Sequence, residues 1–196
     1  MRDHLALLAV LLWPAIPLFW IPVHGFNRFF RKIGLLTYTL PLVSWLPIAY
    51  LIYLNRMNLL SYTIIVPHAL GIIGMITLVG GVILQLWTLY LLSFRGITGM
   101  PEVSERYSGR FVTKGPFSVV RHPTYLSHTL MLLGVFLVTG VVMVAVVTVL
   151  DFFLIHALII PLEDRELMSR FGRDYMKYKN EVPRFFPTFR KITFRS

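Results

Sequence analysis

The run Gly115-Pro116-Phe117-Ser118-Val119-Val120-Arg121-His122-Pro123-Thr124-Tyr125 leads straight into an apolar stretch. Pro123 suits the first turn of a helix, because its missing N–H would have no partner there. The turn before it gathers an imidazole, a guanidinium and a phenol around backbone N–H groups left free at a helix start, which favours an anionic ligand. The same residues also suit an interfacial anchor, with Arg121 on lipid headgroups and Tyr125 in the aromatic belt. A second run places Glu163, Asp164 and Glu166 within four residues, just after an uncharged stretch. Glu163 and Asp164 suit a cationic group of a ligand, or an interfacial pairing with Arg165 or Arg170. On a continuous helix Met168, Phe171, Tyr175 and Tyr178 line one face, expected to lie along the membrane surface or beneath a loop.

Deeper in the same apolar stretch, His156 stands seven positions before Glu163, hence on nearly the same helical face, while Asp151 falls on another. An acid near mid-membrane costs about 2.5–3.5 kcal/mol on insertion scales, so Asp151 is expected to face other helices. His68, His128 and Gln85 read as polar groups of helix packing, and His4 and His24 as interfacial flanks of the first apolar run. The chain has no cysteine, no G-x-G-x-x-G and no H-E-x-x-H. A thiol nucleophile, a Rossmann-type nucleotide site and a membrane zinc protease are therefore disfavoured, and no metal site is expected.

The elements that must position these residues are membrane helices. Of 196 residues 56% are hydrophobic and 14% charged, a balance suited to a bilayer rather than to water. Charge-poor runs long enough for a hydrocarbon core occupy 5–23, 35–54, 64–94 and 124–162. The last is too long for one span, and Thr139-Gly140 divides it into a helical hairpin, 124–138 and 141–162, whose first arm is short. The expected fold is thus an all-α integral membrane protein with about five transmembrane helices and a helical tail. Pro14, Pro17, Pro41 and Pro47 should kink the first two. Residues 1–94 form a three-span region and 95–196 a loop, hairpin and tail.

Seventeen of the 19 Lys and Arg residues fall on one side of this arrangement, and only Arg2 and Arg56 on the other. The positive-inside rule then sets the N-terminus outside and the tail in the cytoplasm. The net charge of +10 is read as a match for anionic headgroups rather than nucleic acid, because the basic residues sit in short loops and the tail.

Together, Gly115-Pro116-Phe117, Arg121-His122-Pro123-Thr124-Tyr125, the hairpin, Glu163-Asp164, Phe171-Gly172, Tyr175, Tyr178 and Val182-Pro183-Arg184-Phe185-Phe186-Pro187 resemble the isoprenylcysteine carboxyl methyltransferase family. Its wider superfamily includes membrane phospholipid methyltransferases. The resemblance implies an S-adenosylmethionine-dependent membrane enzyme, with carboxyl O-methylation of a lipid-like or prenylated acceptor taken from the bilayer. It assigns Arg121, His122, Tyr125, Glu163 and Asp164 to the cofactor and the catalytic position to Arg184, within a Pro183–Pro187 segment folded over the pocket. No obligate protein partner is implied. The chain departs from the family in two places: Asp164 stands where a second glutamate is common, and Leu158, Ile159 and Ile160 stand where eukaryotic prenylcysteine enzymes have an arginine. The competing readings are an NADPH-dependent membrane reductase of the sterol type and a non-enzymatic scaffold or transport subunit.

The charge asymmetry generates one topological test. A reporter fused after Ser196 should be active in the cytoplasm, and activity only outside would reverse the orientation.

Overall fold

The structure is a computed structural model that describes residues 2–104, 109 and 111–187. Arg106, Arg110, Arg190, Lys191 and Arg195, which contribute to the charge asymmetry, lie outside the described residues. Ten α-helices account for most of the rest: α1 (Arg2–Leu12), α2 (Ala15–Gly25), α3 (Asn27–Ile33), α4 (Thr39–Leu54), α5 (Arg56–Ser61), α6 (His68–Ile97), α7 (Met100–Val103), α8 (Pro123–Thr139), α9 (Val142–Leu154) and α10 (Ile160–Glu181). Among the described residues the only β-pairing is an isolated bridge between Thr63 and Val141. Four helical runs, Arg2–Gly25, Asn27–Leu54, His68–Val103 and Val142–Glu181, are long and apolar enough to cross a bilayer. The helix α8 has 17 residues and is the short arm of the hairpin.

Breaks fall where the backbone chemistry demands them. The first run bends between Leu12 and Ala15, at Pro14, which cannot continue the ladder of N–H donors. The turn between α8 and α9 is made by Gly140 at φ +71°, its N–H donating to Phe136 O at 2.7 Å. A side chain there would collide with the carbonyl of Ile64. The Ile64 N–H donates to Gly140 O at 2.8 Å, and that of Val142 to Tyr62 O at 2.9 Å, so the extended stretch before α6 closes the hairpin tip. Near its other end α6 changes direction at Ser93, whose φ of +63° is unusual for a residue with a side chain. Between α9 and α10, residues Ile155–Ile159 form a single π-helical turn.

The packing is helix against helix. The centre of the bundle joins α1, α8 and α9 through Ala6, Val10, Leu132, Val135, Val141, Val144 and Val147. The lipid-facing helix α6, with few buried residues, is held chiefly by α8. Their axes approach closely because glycines face each other: a Cβ on Gly134 would stand 2.6 Å from Leu78 N, and one on Gly81 would stand 2.9 Å from Ser127 O. Without a hydrophobic driving force inside lipid, close contact of small residues supplies the association. Asp151 faces the bundle as expected and is 1% exposed. The Trp13 indole donates to its Oδ1 at 2.9 Å, Thr129 Oγ1 to its Oδ2 at 3.5 Å, and His128 Nδ1 lies 3.2 Å from Oδ2.

The glycine contacts yield a paired test. Gly134→Ala should destabilise the protein by roughly 1–3 kcal/mol, the usual cost of overfilling a packed contact. Gly80→Ala, on the partner helix α6 but with nothing within 4 Å of its Cβ position, should leave the melting temperature unchanged or raise it. Equal melting temperatures for the two variants in detergent would show that α6 and α8 do not pack through Gly134.

Candidate functional site

The approach to α8 and the segment after α10 are stitched together through the backbone. The N–H of Arg121 donates to Pro183 O at 2.8 Å and that of His122 to Arg184 O at 3.3 Å. The Arg121 guanidinium donates to Lys179 O and Val182 O, both at 2.8 Å, satisfying carbonyls that the end of α10 leaves without helical partners. Tyr178 donates its hydroxyl to Phe117 O at 2.6 Å. Arg121 is 9% exposed and Tyr125 7%, so both face protein, and the interfacial-anchor alternative for them does not hold.

The hairpin returns α10 to the end of the bundle where α8 began, and His122 meets both acids there. Its Nδ1 is 3.2 Å from Glu163 Oε2 and its Nε2 is 3.0 Å from Asp164 Oδ1. Asp164, 3% exposed, also accepts a short hydrogen bond from Tyr175 and has Lys179 Nζ at 3.1 Å, Arg121 Nη2 at 3.5 Å and Arg184 Nη2 at 3.9 Å. The contact with Tyr175 requires a break. Eleven residues of uninterrupted helix would separate the two by about 16 Å along the axis. Gly172 supplies that break at φ +53°, so the expected single face of Met168, Phe171, Tyr175 and Tyr178 is divided, and Tyr175 and Tyr178 turn inward.

The electrostatics follow from this packing. Burial alone would lower the His122 pKa, but the charge of Glu163 and the hydrogen bond with Asp164 outweigh it and hold it above the ordinary histidine value. The surface pairings weighed for the acids are not formed. Arg170 instead donates to Glu102 Oε1 at 2.8 Å and to Glu166 Oε1 at 3.3 Å.

That second cluster was not read from the sequence as part of a site. His24 is buried at 7% exposure rather than interfacial, and its Nδ1 lies 2.6 Å from Glu166 Oε2. Glu102 Oε2 is buried without a hydrogen-bond partner. The spacing of Glu166 and Arg170, four apart, was the available clue, but Glu102 and His24 reach them over 68 and 142 positions of chain.

A cavity of about 350 Å³ opens beside both clusters, within the range of small-molecule sites. Arg121, His122, Tyr125 and Glu163 are on its wall, joined by Glu102 and Arg170. Aromatic surface comes from Trp20, Phe111, Phe117, Phe171 and Tyr178. Asp164 and Arg184 are not on the wall. Asp164 stands behind His122, and Arg184 is 43% exposed at the outer edge of the cluster. The wall continues to His128 and Met131, about 9 and 13 Å along the helix axis from His122. Ile16, Trp20, Gln85 and Leu92 also contribute, so the cavity draws on both sides of the 94/95 boundary.

Residues 70–174 match the phospholipid methyltransferase family, a stretch that includes most of α6 as well as the hairpin and the acid pair. The chain is 38% identical over 85 residues to the cobalt-zinc-cadmium resistance protein CzcN of Cupriavidus metallidurans, covering 43% of this chain and 39% of that protein. It is 35% identical over 94 residues to the nickel-cobalt-cadmium resistance protein NccN of Alcaligenes xylosoxydans xylosoxydans, covering 48% and 43%. The match thus spans about two-fifths of the length of these curated relatives. No solved structure matches the chain.

The raised His122 pKa carries a signed prediction. A folded-state value above the unfolded one gives stability that is complete below the unfolded pKa, about 6.5, and is lost as pH rises through the folded value. The melting temperature of wild type should therefore exceed that of His122→Asn most at low pH, with the gap narrowing as the pH rises above the ordinary histidine value and through the folded-state one. A gap that does not change with pH would remove the imidazolium from the cluster.

Proposed function

Because the chain belongs to the phospholipid methyltransferase family, we propose that it transfers a methyl group from S-adenosylmethionine to a lipid-like acceptor. The observation that carries this reading is the cavity where the two ends of the hairpin meet. Its wall offers carboxylates at Glu163 and Glu102, cations at Arg121 and His122, and a set of aromatic rings. These fit the donor's chemistry. Its ammonium and ribose hydroxyls call for acceptors, its carboxylate for charged donors, and its purine for apolar flat surface. The buried Glu102 oxygen without a partner supports a ligand here, since such atoms are rarely left unpaired.

In this reading Arg121, His122, Tyr125 and Glu163 hold the methyl donor, and Asp164 fixes the orientation of His122. Arg184, expected to be catalytic, is assigned to closing the outer side of the cluster through its carbonyl and its charge. The donor supplies a methyl group already activated on a sulfonium. The protein's task is then to align the acceptor and keep water away, more than to generate a strong nucleophile.

The cytoplasm is the proposed side for donor entry, on the strength of the Lys and Arg asymmetry. An acceptor from the bilayer would reach the deep wall near Met131, and anionic headgroups would meet the basic loop. The carboxylate acceptor expected from the isoprenylcysteine resemblance is one option for that deep end, whose own residues bear on the choice. The names of the two relatives suggest metal-exposed membranes as the place to search for the product.

Titration calorimetry with S-adenosylhomocysteine in detergent tests the site. A charge-assisted hydrogen bond contributes about 1.5–3 kcal/mol, so Glu163→Gln and His122→Ala should each weaken binding by roughly ten- to a hundredfold while the protein stays folded. Absence of wild-type binding would favour the non-enzymatic scaffold. Unchanged affinity in both folded variants would leave these residues as structural anchors only.

A further inference from the structure

The charged end of the cavity accounts for a methyl donor, but the wall extends deeper, to Ile16, Gln85, His128 and Met131. Among these His128 is the one side chain whose ring nitrogen offers a lone pair that can accept a proton from a bound ligand. Its Nδ1 is 3.2 Å from Asp151 Oδ2, inside the bundle. Asp151 is surrounded by donors, Trp13 Nε1 from the turn between α1 and α2 at 2.9 Å and Thr129 Oγ1 from α8 at 3.5 Å, and is itself an acceptor when ionised. Against an ionised Asp151 the imidazole carries its hydrogen on Nδ1, directed at Oδ2. Nε2 has no protein partner among the described residues and keeps a free lone pair, on a side chain that forms part of the cavity wall.

A histidine held in one tautomer by a buried carboxylate is the arrangement that removes a proton from a reacting group. We infer that His128, oriented by Asp151, is the base for an acceptor whose nucleophilic atom bears hydrogen: an amine, a hydroxyl or a thiol. The inference rests on the methyl-donor reading of the cavity and deepens it by naming the acceptor's chemistry. A lone pair of the acceptor forms the new bond to the methyl carbon, the carbon–sulfur electron pair stays on sulfur as a neutral thioether, and the acceptor's proton passes to Nε2. Asp151 offsets the resulting imidazolium charge.

A carboxylate acceptor suits this end poorly. At neutral pH it has no proton to give up, and it would bring a second negative charge toward Asp151 where little water screens the two. A packing role alone is also a weak account of Asp151. An asparagine would accept from Trp13 and Thr129 without the insertion cost of a charge. Asp151 is thus a positioning residue, and His128 the group that touches the acceptor.

The test uses the full chain in phosphatidylcholine nanodiscs with methyl-tritiated S-adenosylmethionine and four probes with the same hydrocarbon tail: hexadecylamine, hexadecanol, hexadecanethiol and hexadecanoic acid. Label should pass to at least one of the first three and not to the acid. His128→Asn should lower kcat by about a hundredfold or more, the usual worth of a general base, with the KM for S-adenosylmethionine and the affinity for S-adenosylhomocysteine unchanged. His128→Gln serves if the first variant does not fold. Nitrogen NMR of histidine-labelled protein should find His128 protonated on Nδ1 in wild type and no longer fixed in Asp151→Asn. Transfer to the acid, transfer to none of the probes, a wild-type kcat without His128, or the opposite tautomer each overturns the inference. Failure of wild type to bind S-adenosylhomocysteine would instead bring down the reading on which it rests.

Discussion

A carboxylate buried at the end of a membrane helix has to be neutralised by groups that arrive from elsewhere in the chain, and Asp164 is that carboxylate. Its solvation is replaced by His122 from the start of α8, by Tyr175 and Lys179 from beyond the break in α10, and by Arg121 and Arg184 at longer range. Breaking one member of such a set leaves a buried charge uncompensated, which is strongly unfavourable. The geometry of the whole end of the bundle follows from this need. The hairpin must return, α10 must fold back, and the segment through Pro183 and Arg184 must lie against the approach to α8.

The cavity exists because these obligations leave a gap. The acids and bases that satisfy one another form its outer end, and the glycine-lined contact of α6 with α8 brings the opposite wall close without filling it. A cluster at another depth joins the turn after α1 to α8 and α9 around Asp151. The two polar centres lie on opposite sides of the π-helical turn and are connected by the same cavity wall along α8. The first two helices are therefore part of the site's construction. Trp13 reaches Asp151, Trp20 lines the cavity, and His24 meets Glu166.

Much of this was legible in sequence where the signal is local. Thr139-Gly140 marked the hairpin because a glycine in an apolar run is a natural turn, and Asp151 was bound to face inward because an acid in lipid is costly. The motif at Arg121 to Tyr125 and the acids at Glu163 and Asp164 were visible by residue type, and the hairpin made their meeting geometrically necessary. Gly172 was quoted as part of a motif but read through as helix, which hid the approach of Tyr175 to Asp164. His24 and Glu102 were missed for a different reason. Each looks like an ordinary interfacial or loop residue until long-range packing buries it beside Glu166 and Arg170. Arg184 was singled out by the family resemblance as catalytic, whereas its backbone carbonyl, accepting from the His122 N–H, makes its closest contact with the site.

The π-helical turn at Ile155–Ile159 has a bearing on how such a protein can change over time. A turn of this kind holds about one residue more than an α-turn, so it delays the helix phase by roughly a residue's rotation, on the order of 100°. Everything after it, including Glu163 and Asp164, is aimed relative to Asp151 by that delay. Loss of one codon here would be tolerated by the membrane, which registers only length and apolarity. It would nonetheless swing the acid pair around the axis, away from His122. The reading frame of the helical screw, and not the hydrophobicity of the span, is what this segment has to conserve.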